Sequence, residues 1–226
     1  ERQAELAKPP GSLGALEDIS IRLAGITGQV CPKMDSCRVA VFAADNGVVD
    51  EGVSCAPRSV TLQQAINMTR RRTGMSAMAA AFGDDVAVVD VGIAGDVPGV
   101  GILDRKVRRG TGNIAVEDAM TRPEALAAMS AGMEQAARAR ANSITALGVG
   151  EMGIGNTSTS AAVLSVLTGA DIEVVTGRGG GLTDVGFARK KDVLRRALTR
   201  RAVDKDDVLD VLCAVGGLDI AAMAGA

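Results

Sequence analysis

The chain of 226 residues carries 25 basic and 27 acidic side chains, which gives it a net charge of −2. This balance provides no basic surface for a phosphodiester backbone, and aromatic residues that could stack on bases make up only 1% of the sequence, so we exclude nucleic acid as a partner. No apolar run reaches the roughly 18 residues of a membrane span and no signal peptide is recognisable, which predicts a cytoplasmic protein without a membrane partner. The 47% of hydrophobic residues suffice for one sizeable core.

The residue types in the sequence limit which side chains could act as general bases or metal ligands. Histidine is absent, which removes imidazole as a general base and as a metal ligand. The four cysteines show no CxxC spacing, and such cysteines in a cytosolic chain are more often small buried hydrophobes than ligands. We therefore predict neither a metal site nor another cofactor, and we expect acid–base chemistry to fall to carboxylates, lysine or cysteine.

The chain opens with a turn and an amphipathic helical pattern, KPPGSLGALEDISIRLAGI, at 8–26. Because this segment precedes the first strand pattern, we predict that residues 1–30 belong to a small helical domain and that residues 31–226 form an α/β nucleotide-binding domain. The sequence stops inside a small-residue helical pattern without a cap or a charged last turn, so we expect the second domain to be incomplete at its C-terminus.

Short apolar runs alternate with helical patterns through the rest of the chain. Four runs are predicted as strands, at 38–45, 85–93, 144–150 and 172–177. Helices are predicted between and after them, at 61–83, 122–142, 157–169 and 184–201, and the second of these begins with a capping box of Thr121 and Glu124. Such alternation is typical of parallel strands covered on both faces, so we predict an open, mainly parallel, doubly wound (Rossmann-like) α/β sheet.

In sheets of this kind, ligands bind beyond the carboxyl ends of the strands, and three predicted loops fall there. The first loop, DNGVVDEG, places Asp45, Asp50 and Glu51 within seven residues. Clustered acids indicate either Mg²⁺ or contacts to ribose hydroxyls. Hydroxyls are favoured because no nucleoside triphosphate motif accompanies the acids.

The second loop, GEMGIGNTS, joins a strand to a helix. Gly153 and Gly155 permit close backbone approach, and Asn156, Thr157 and Ser158 offer N-cap side chains to the helix. Free N–H groups and the positive end of a helix favour a phosphate or a carboxylate. The loop has neither the lysine of a Walker motif nor the GxGxxG spacing, so a turn that serves only the fold is an equal alternative.

The third loop, GRGGGLTD at 177–184, repeats the order of strand, glycine-rich loop and helix. Four cations lie in this loop and the helix that follows it, Arg178, Arg189, Lys190 and Lys191. Two glycine-rich loops at neighbouring strand ends favour a ligand with a phosphate, whereas Lys191 is better explained as part of a solvated helix face.

Six segments together carry a family resemblance. In chain order they are KPPGSLGALEDISIRLAGI at 8–26, FAADNGVVDEGVS at 42–54, GTGNIAVEDAMT at 110–121, GEMGIGNTSTSAA at 150–162, GRGGGLTD at 177–184 and AVGGLDIAAMAGA at 214–226. Over nearly its whole length, the chain resembles the nicotinate-nucleotide–dimethylbenzimidazole phosphoribosyltransferase family. The resemblance implies a homodimer that transfers the phosphoribosyl group of nicotinate mononucleotide to 5,6-dimethylbenzimidazole or a related base, giving an α-riboside 5′-phosphate and nicotinate for cobamide nucleotide-loop assembly.

The resemblance also implies roles for particular residues. Glu151 is implied as a supporting carboxylate near the aromatic base, and Lys190 as a contact to the nucleotide. The nucleotide would further be held by Gly153, Gly155, Asn156, Thr157, Ser158, Gly179 and Gly180. The base pocket would be formed by Ser54, Cys55, Pro57, Gln63 and Met152. The principal catalytic glutamate of the family lies in a later RLGEGTGA-like segment, which is expected beyond Ala226.

Two other functions fit the same sequence. The first is a relative that uses a phenolic or purine acceptor, because Asn46 and Arg189 stand where many relatives carry histidine and the acceptor is therefore open. The second is a non-catalytic nucleotide-binding paralogue whose own end is Ala226.

Overall fold

The computed structural model of the chain describes residues 2–99, 101–200 and 202–226. The chain divides into two compact units, Glu1–Ser36 and Cys37–Ala226.

The first unit contains a short 3₁₀ helix, Arg2–Glu5, and helix α1, Ala15–Thr27. Glu17 in the first turn of α1 accepts hydrogen bonds from Lys8 Nζ at 2.6 Å and from the backbone N–H of Leu13 at 3.1 Å. A carboxylate at this position also complements the positive end of the helix. The helix predicted for this segment is therefore confirmed.

The second unit holds one sheet and the remaining helices. Its strands are β1 (Cys37–Ala44), β2 (Asp85–Gly92), β3 (Ile102–Asp104) and β4 (Ala146–Met152). Its helices are α2 (Val60–Thr69), α3 (Gly74–Phe82), α4 (Arg122–Ala141), α5 (Asn156–Thr168), α6 (Ile172–Val175), α7 (Asp184–Thr199), α8 (Val208–Val215) and α9 (Leu218–Gly225), with a 3₁₀ helix at Gly47–Glu51. None of the helices in the described ranges is long and apolar enough to cross a membrane.

The four strands form a parallel sheet in the order β3–β2–β1–β4. In the pairing of β1 with β4, Cys37 lies beside Ala146 and Ala43 lies beside Met152. The carboxyl ends of these two strands therefore meet at one edge of the sheet, where the loops that follow them converge.

Helices cover both faces of the sheet. Phe42 and Ala44 of β1 belong to a large apolar cluster with residues of α4, α5, α7, α8 and α9, whereas Ala43 belongs to a smaller cluster with Ala65 of α2. This division follows from the alternation of side chains along a strand. The predicted doubly wound, parallel α/β fold is confirmed.

Helix α4 begins as its sequence predicts. The Thr121 hydroxyl accepts a hydrogen bond from the backbone N–H of Glu124, and the Glu124 carboxylate accepts one in return from the backbone N–H of Thr121 at 2.8 Å. This capping box satisfies two N–H groups that the first turn of a helix leaves without partners.

The strand predicted at 172–177 is wrong, because residues Ile172–Val175 of this segment form the short helix α6. The Asp171 carboxylate accepts a hydrogen bond from the backbone N–H of Glu173 at 2.9 Å and so caps a helical turn. Glu173 then forms ion pairs with Lys191 and Arg195 of α7. The loop 177–184 consequently follows a helix and not a strand.

One further prediction needs correction, and one strand was not predicted. The single helix predicted at 61–83 is two helices, because Arg71 adopts a positive φ of 58° and Thr73 forms a new N-terminal capping box with Ser76. The sequence also gave no indication of β3, whose three residues pair with Val88–Asp90 of β2. A strand of three residues is too short to show a period.

Candidate nucleotide site

A pocket of about 350 Å³ lies at the carboxyl ends of β1 and β4. The loop after β1, the loop between β4 and α5, and the loop that precedes α7 each contribute to its lining. The predicted site residues that line it are Ser54, Cys55, Met152, Gly153, Gly155, Asn156, Thr157, Gly179 and Gly180. The tertiary structure thus brings together residues that are up to 126 positions apart in the sequence, from Ser54 to Gly180.

Five other predicted residues lie outside this lining. Pro57 and Gln63 are exposed, Pro57 just before α2 and Gln63 in its first turn. Ser158 and Lys190 are buried behind the wall, and Glu151 is partly buried at the end of β4. The roles predicted for the site residues, inside and outside this lining, remain predictions.

The N-terminus of α5 faces the pocket through Gly155, Asn156 and Thr157. Its N-cap is Gly155, which has a φ of 92° and provides no side-chain hydrogen bond. The prediction that side chains of residues 156–158 cap this helix was therefore wrong. No side chain caps the first turn, and the positive end of this 13-residue helix is directed to the pocket. The backbone N–H groups of Asn156 and Ser158 donate to the carbonyl oxygens of Gly153 and Gly155, at 3.1 and 2.8 Å.

Lys190 provides a buried positive charge beside this helix end. Only 1% of the residue is exposed, and its Nζ donates hydrogen bonds to Thr157 Oγ1 at 2.7 Å and to the carbonyl oxygen of Gly177 at 3.0 Å. Burial lowers the pKa of the Lys190 ammonium. Among the described residues, no carboxylate lies within ion-pair distance of Nζ, whereas the neighbouring Lys191 pairs with Glu173 at 2.7 Å. A buried ammonium with a third, unused N–H is suited to an anionic ligand.

Glu151 contacts the pocket wall from behind. Its Oε1 accepts a hydrogen bond from Asn156 Nδ2 at 2.5 Å, and Asn156 itself lines the pocket. The second oxygen, Oε2, is buried and has no hydrogen-bond partner in the described structure. Burial raises the pKa of the Glu151 carboxyl.

Sequence reasoning missed Asp219, which lies at the start of α9 and is 0% exposed. Burial and the negative charge of Glu151 raise the pKa of Asp219 to about 7. Its Oδ1 accepts a hydrogen bond from the backbone N–H of Ile220 at 2.9 Å. In the sequence, an acid in the first turn of a helix suggests only a favourable interaction with the helix dipole, so no local signal identified it.

The three acids after β1 do not converge on one ligand. Asp45 accepts a hydrogen bond from the backbone N–H of Ala94 at 2.8 Å, and Asp50 pairs with Arg58 at 2.8 Å. Glu51 pairs with Arg196 of α7. Within the described ranges there is no group of three or more acidic or cysteine side chains that could hold a metal ion.

The fold and this site together define a class of protein. A parallel α/β sheet presents glycine-rich loops, a helix N-terminus without a side-chain cap and a buried ammonium at one edge, an arrangement that favours an anionic ligand. A model of the family described as phosphoribosyltransferase matches residues 1–226. The chain belongs to this phosphoribosyltransferase family.

Individual relatives agree with this assignment. The chain is 48% identical over 226 residues to a nicotinate-nucleotide–dimethylbenzimidazole phosphoribosyltransferase of Desulforudis audaxviator, with 100% of the chain and 64% of the relative covered. A protein with the same name from Clostridium perfringens strain 13 is 46% identical over 224 residues, with 62% of its length covered. The crystal structure of CobT from Thermus thermophilus matches 99% of the chain and 67% of its own chain, with 44% identity and a TM-score of 0.92. The chain thus spans about 64% of the length of the first of these relatives.

Proposed function

We propose that this chain provides the nucleotide pocket of an enzyme that transfers the phosphoribosyl group of nicotinate mononucleotide to a benzimidazole-type base. The observation that carries the proposal is the buried Lys190 ammonium, which has no carboxylate partner in the described structure and lies against Thr157 in the pocket wall. The two substrates are those in the names of the relatives, nicotinate nucleotide and dimethylbenzimidazole.

The phosphate of the nucleotide would lie at the N-terminus of α5. There, the positive end of the helix dipole attracts the same charge that the Lys190 ammonium attracts. Gly179 lies close to Thr157, because a Cβ atom at position 179 would be 3.1 Å from Thr157 Oγ1. The glycine-rich loop therefore borders the site proposed for the phosphate.

The rest of the pocket suits a flat aromatic ring. Val53, Met152, Ile154 and Leu182 provide apolar surface, and the volume of about 350 Å³ falls at the lower end of the range for small-molecule sites. An aromatic acceptor base gains from this surface by leaving water.

The proposed reaction exchanges one bond at C1′ of the ribose for another. A ring nitrogen of the acceptor attacks C1′ with its lone pair while the bond from C1′ to the pyridinium nitrogen breaks, and nicotinate leaves with that electron pair. The N–H proton of the acceptor then passes to a carboxylate. Glu151 is proposed as a supporting carboxylate, and the family resemblance leads us to propose a principal base outside these 226 residues. A homodimer in which the neighbouring subunit closes the base pocket is a further proposal from the resemblance.

The proposal can be tested with a chimera in which this chain replaces the aligned residues of the Desulforudis audaxviator relative. We expect the chimera to convert nicotinate mononucleotide and 5,6-dimethylbenzimidazole into equal amounts of the α-riboside phosphate and nicotinate, measured by chromatography. Mixtures with adenine and p-cresol would show whether a purine or a phenol is preferred. If the chimera is folded by circular dichroism but forms no product with any acceptor, while the unmodified relative is active, the catalytic proposal is wrong and a non-catalytic nucleotide-binding role is supported.

Cys55 offers a direct measure of pocket occupancy. Its side chain is a free, exposed thiol in the pocket lining, whereas Cys31 is a free, exposed thiol in the first unit and outside this lining. We expect nicotinate mononucleotide to slow the alkylation of Cys55 by iodoacetamide, as measured by peptide mass mapping, because a bound ligand excludes the reagent. Cys31 serves as the internal control. Unchanged rates at both cysteines under saturating ligand would count against this pocket as the binding site.

A further inference from the structure

The pocket lining contains a cation that the proposed function does not use. Arg178 lies in the glycine-rich loop between α6 and α7, and it lines the pocket together with Gly179 and Gly180. The cation to which the phosphate is assigned, Lys190, is buried behind the wall. Two positive charges therefore border the pocket, and only one of them has been given a role.

Three contacts fix the orientation of the Arg178 side chain. Its Nη1 donates a hydrogen bond to the carbonyl oxygen of Leu182 at 3.0 Å, and its Nη2 donates one to Asp184 Oδ1 at 2.6 Å. Its Cζ lies 4.7 Å from the centroid of the Phe187 ring, which is within the distance of a cation–π contact. A guanidinium that is already held in one orientation loses little further conformational freedom when it binds a ligand.

The ion pair between Arg178 and Asp184 leaves the guanidinium available to a ligand. The side chain of Asp184 is 92% exposed and that of Arg178 is 49% exposed, so water screens the pair and it contributes little free energy. The two hydrogen bonds also use only part of the N–H groups of a guanidinium. Arg178 can therefore bind an anion without losing a strong existing interaction.

The two cations have different surroundings. Lys190 Nζ donates to Thr157 and to the carbonyl oxygen of Gly177, whereas the two acceptors for Arg178 lie further along the loop and at the start of α7. Among the described residues, the two cations thus share no hydrogen-bond partner. Nicotinate mononucleotide carries two anionic groups at opposite ends of its ribose, a phosphate on C5′ and a carboxylate on the pyridinium ring. Two separate cations suit such a ligand.

We propose that Arg178 binds the carboxylate of the nicotinate ring and makes the site specific for nicotinate mononucleotide over nicotinamide mononucleotide. This inference rests on the proposed function, in which Lys190 and the start of α5 hold the phosphate. The planar guanidinium matches a carboxylate in a bidentate pair, and it gains less from the uncharged carboxamide of nicotinamide. Arg178 is then a specificity-determining residue that contacts the substrate and takes no part in breaking the bond at C1′.

The test compares the binding of these two nucleotides, which differ only in this group, by isothermal titration of the chimera described above without an acceptor base. We expect the unmodified chimera to bind nicotinate mononucleotide more tightly. Arg178→Gln should weaken the binding of nicotinate mononucleotide about 10- to 150-fold, the range for a hydrogen bond to a charged group, and should leave the binding of nicotinamide mononucleotide unchanged. Lys190→Met should weaken the binding of both nucleotides, because both carry the phosphate.

Arg195→Gln is the matched control for this substitution. Arg195 lies on α7 with 51% of its side chain exposed, pairs with Glu173 and Asp192, and is not part of the pocket lining. We expect this variant to bind both nucleotides as the unmodified chimera does. If circular dichroism shows that Arg178→Gln does not fold, Arg178→Lys takes its place. It should also lower the preference for nicotinate mononucleotide, because an ammonium cannot form the bidentate pair.

Three results would overturn the assignment of Arg178 and leave the proposed function standing. They are equal affinities of the unmodified chimera for the two nucleotides, an unchanged preference in Arg178→Gln, or a loss of affinity in Arg178→Gln that is the same for both nucleotides. The last would mean that Arg178 contacts the phosphate or only orders the loop. An unmodified chimera that binds neither nucleotide would overturn the proposed function itself, and this inference with it.

Discussion

Gly153→Ala is expected to lower the free energy of unfolding by about 3 kcal/mol. A Cβ atom at this position would fall well inside 3.0 Å of the Ala44 carbonyl oxygen, 3.0 Å from Asn46 Nδ2 and 3.1 Å from Asp219 Oδ2. Ala44 is backbone of the central strand, and Asn46 and Asp219 are each 0% exposed. None of the three neighbours can move without disturbing the sheet or the pocket wall, so the strain remains in the folded state.

Gly150→Ala is the matched control for this substitution. Gly150 lies on β4, three residues before Gly153; it has no positive φ, and a Cβ atom there would meet nothing within 4 Å. We expect its unfolding midpoint in urea, followed by circular dichroism, to stay close to that of the unmodified chain. Equal losses of stability in the two variants would show that the contacts of Gly153 are not responsible.

Lys190→Met is expected to weaken the binding of nicotinate mononucleotide about 10- to 150-fold, which corresponds to about 1.5–3 kcal/mol for a hydrogen bond to a charged group. Methionine is similar in length and apolar, so it removes the ammonium without leaving a large cavity. It also leaves Thr157 Oγ1 and the Gly177 carbonyl oxygen without their buried donor, which weakens the packing around the site that we propose for the phosphate.

Isothermal titration of the chain with nicotinate mononucleotide measures this effect, and Lys191→Met is the control. Lys191 is adjacent on the same helix, but its ammonium pairs with Glu173 and does not line the pocket. We expect the control to bind the nucleotide as the unmodified chain does. Nucleotide affinity that is unchanged in Lys190→Met would remove Lys190 from the site, and an equal loss in both variants would indicate a general effect of positive charge.

The sequence alone was sufficient where a local pattern has one physical solution. The runs in β1 and β2 are long and apolar enough to be buried on both faces, and the box of Thr121 and Glu124 fixed the start of α4. The sequence was not sufficient at 172–177, where a segment rich in β-branched residues forms the helix α6 and not a strand. Asp171 caps this helical turn, and Glu173 forms an ion pair with Lys191 of α7. A short segment rich in such residues is compatible with a strand or a helix until its partners are known.

For the site, the sequence determined the family and the residue types at the sheet edge, because the motifs are local and each can be recognised without its neighbours. Only the tertiary structure decided that Lys190 is buried without a carboxylate partner in the described residues, that Pro57 and Gln63 lie outside the pocket lining, and that Asp219 is fully buried. Burial and the distance between charges set the pKa of a side chain and its affinity for an anion. Both quantities depend on which distant segments pack together, and the packing of β1, β4, α5 and α9 around Gly153 cannot be obtained from any one of them.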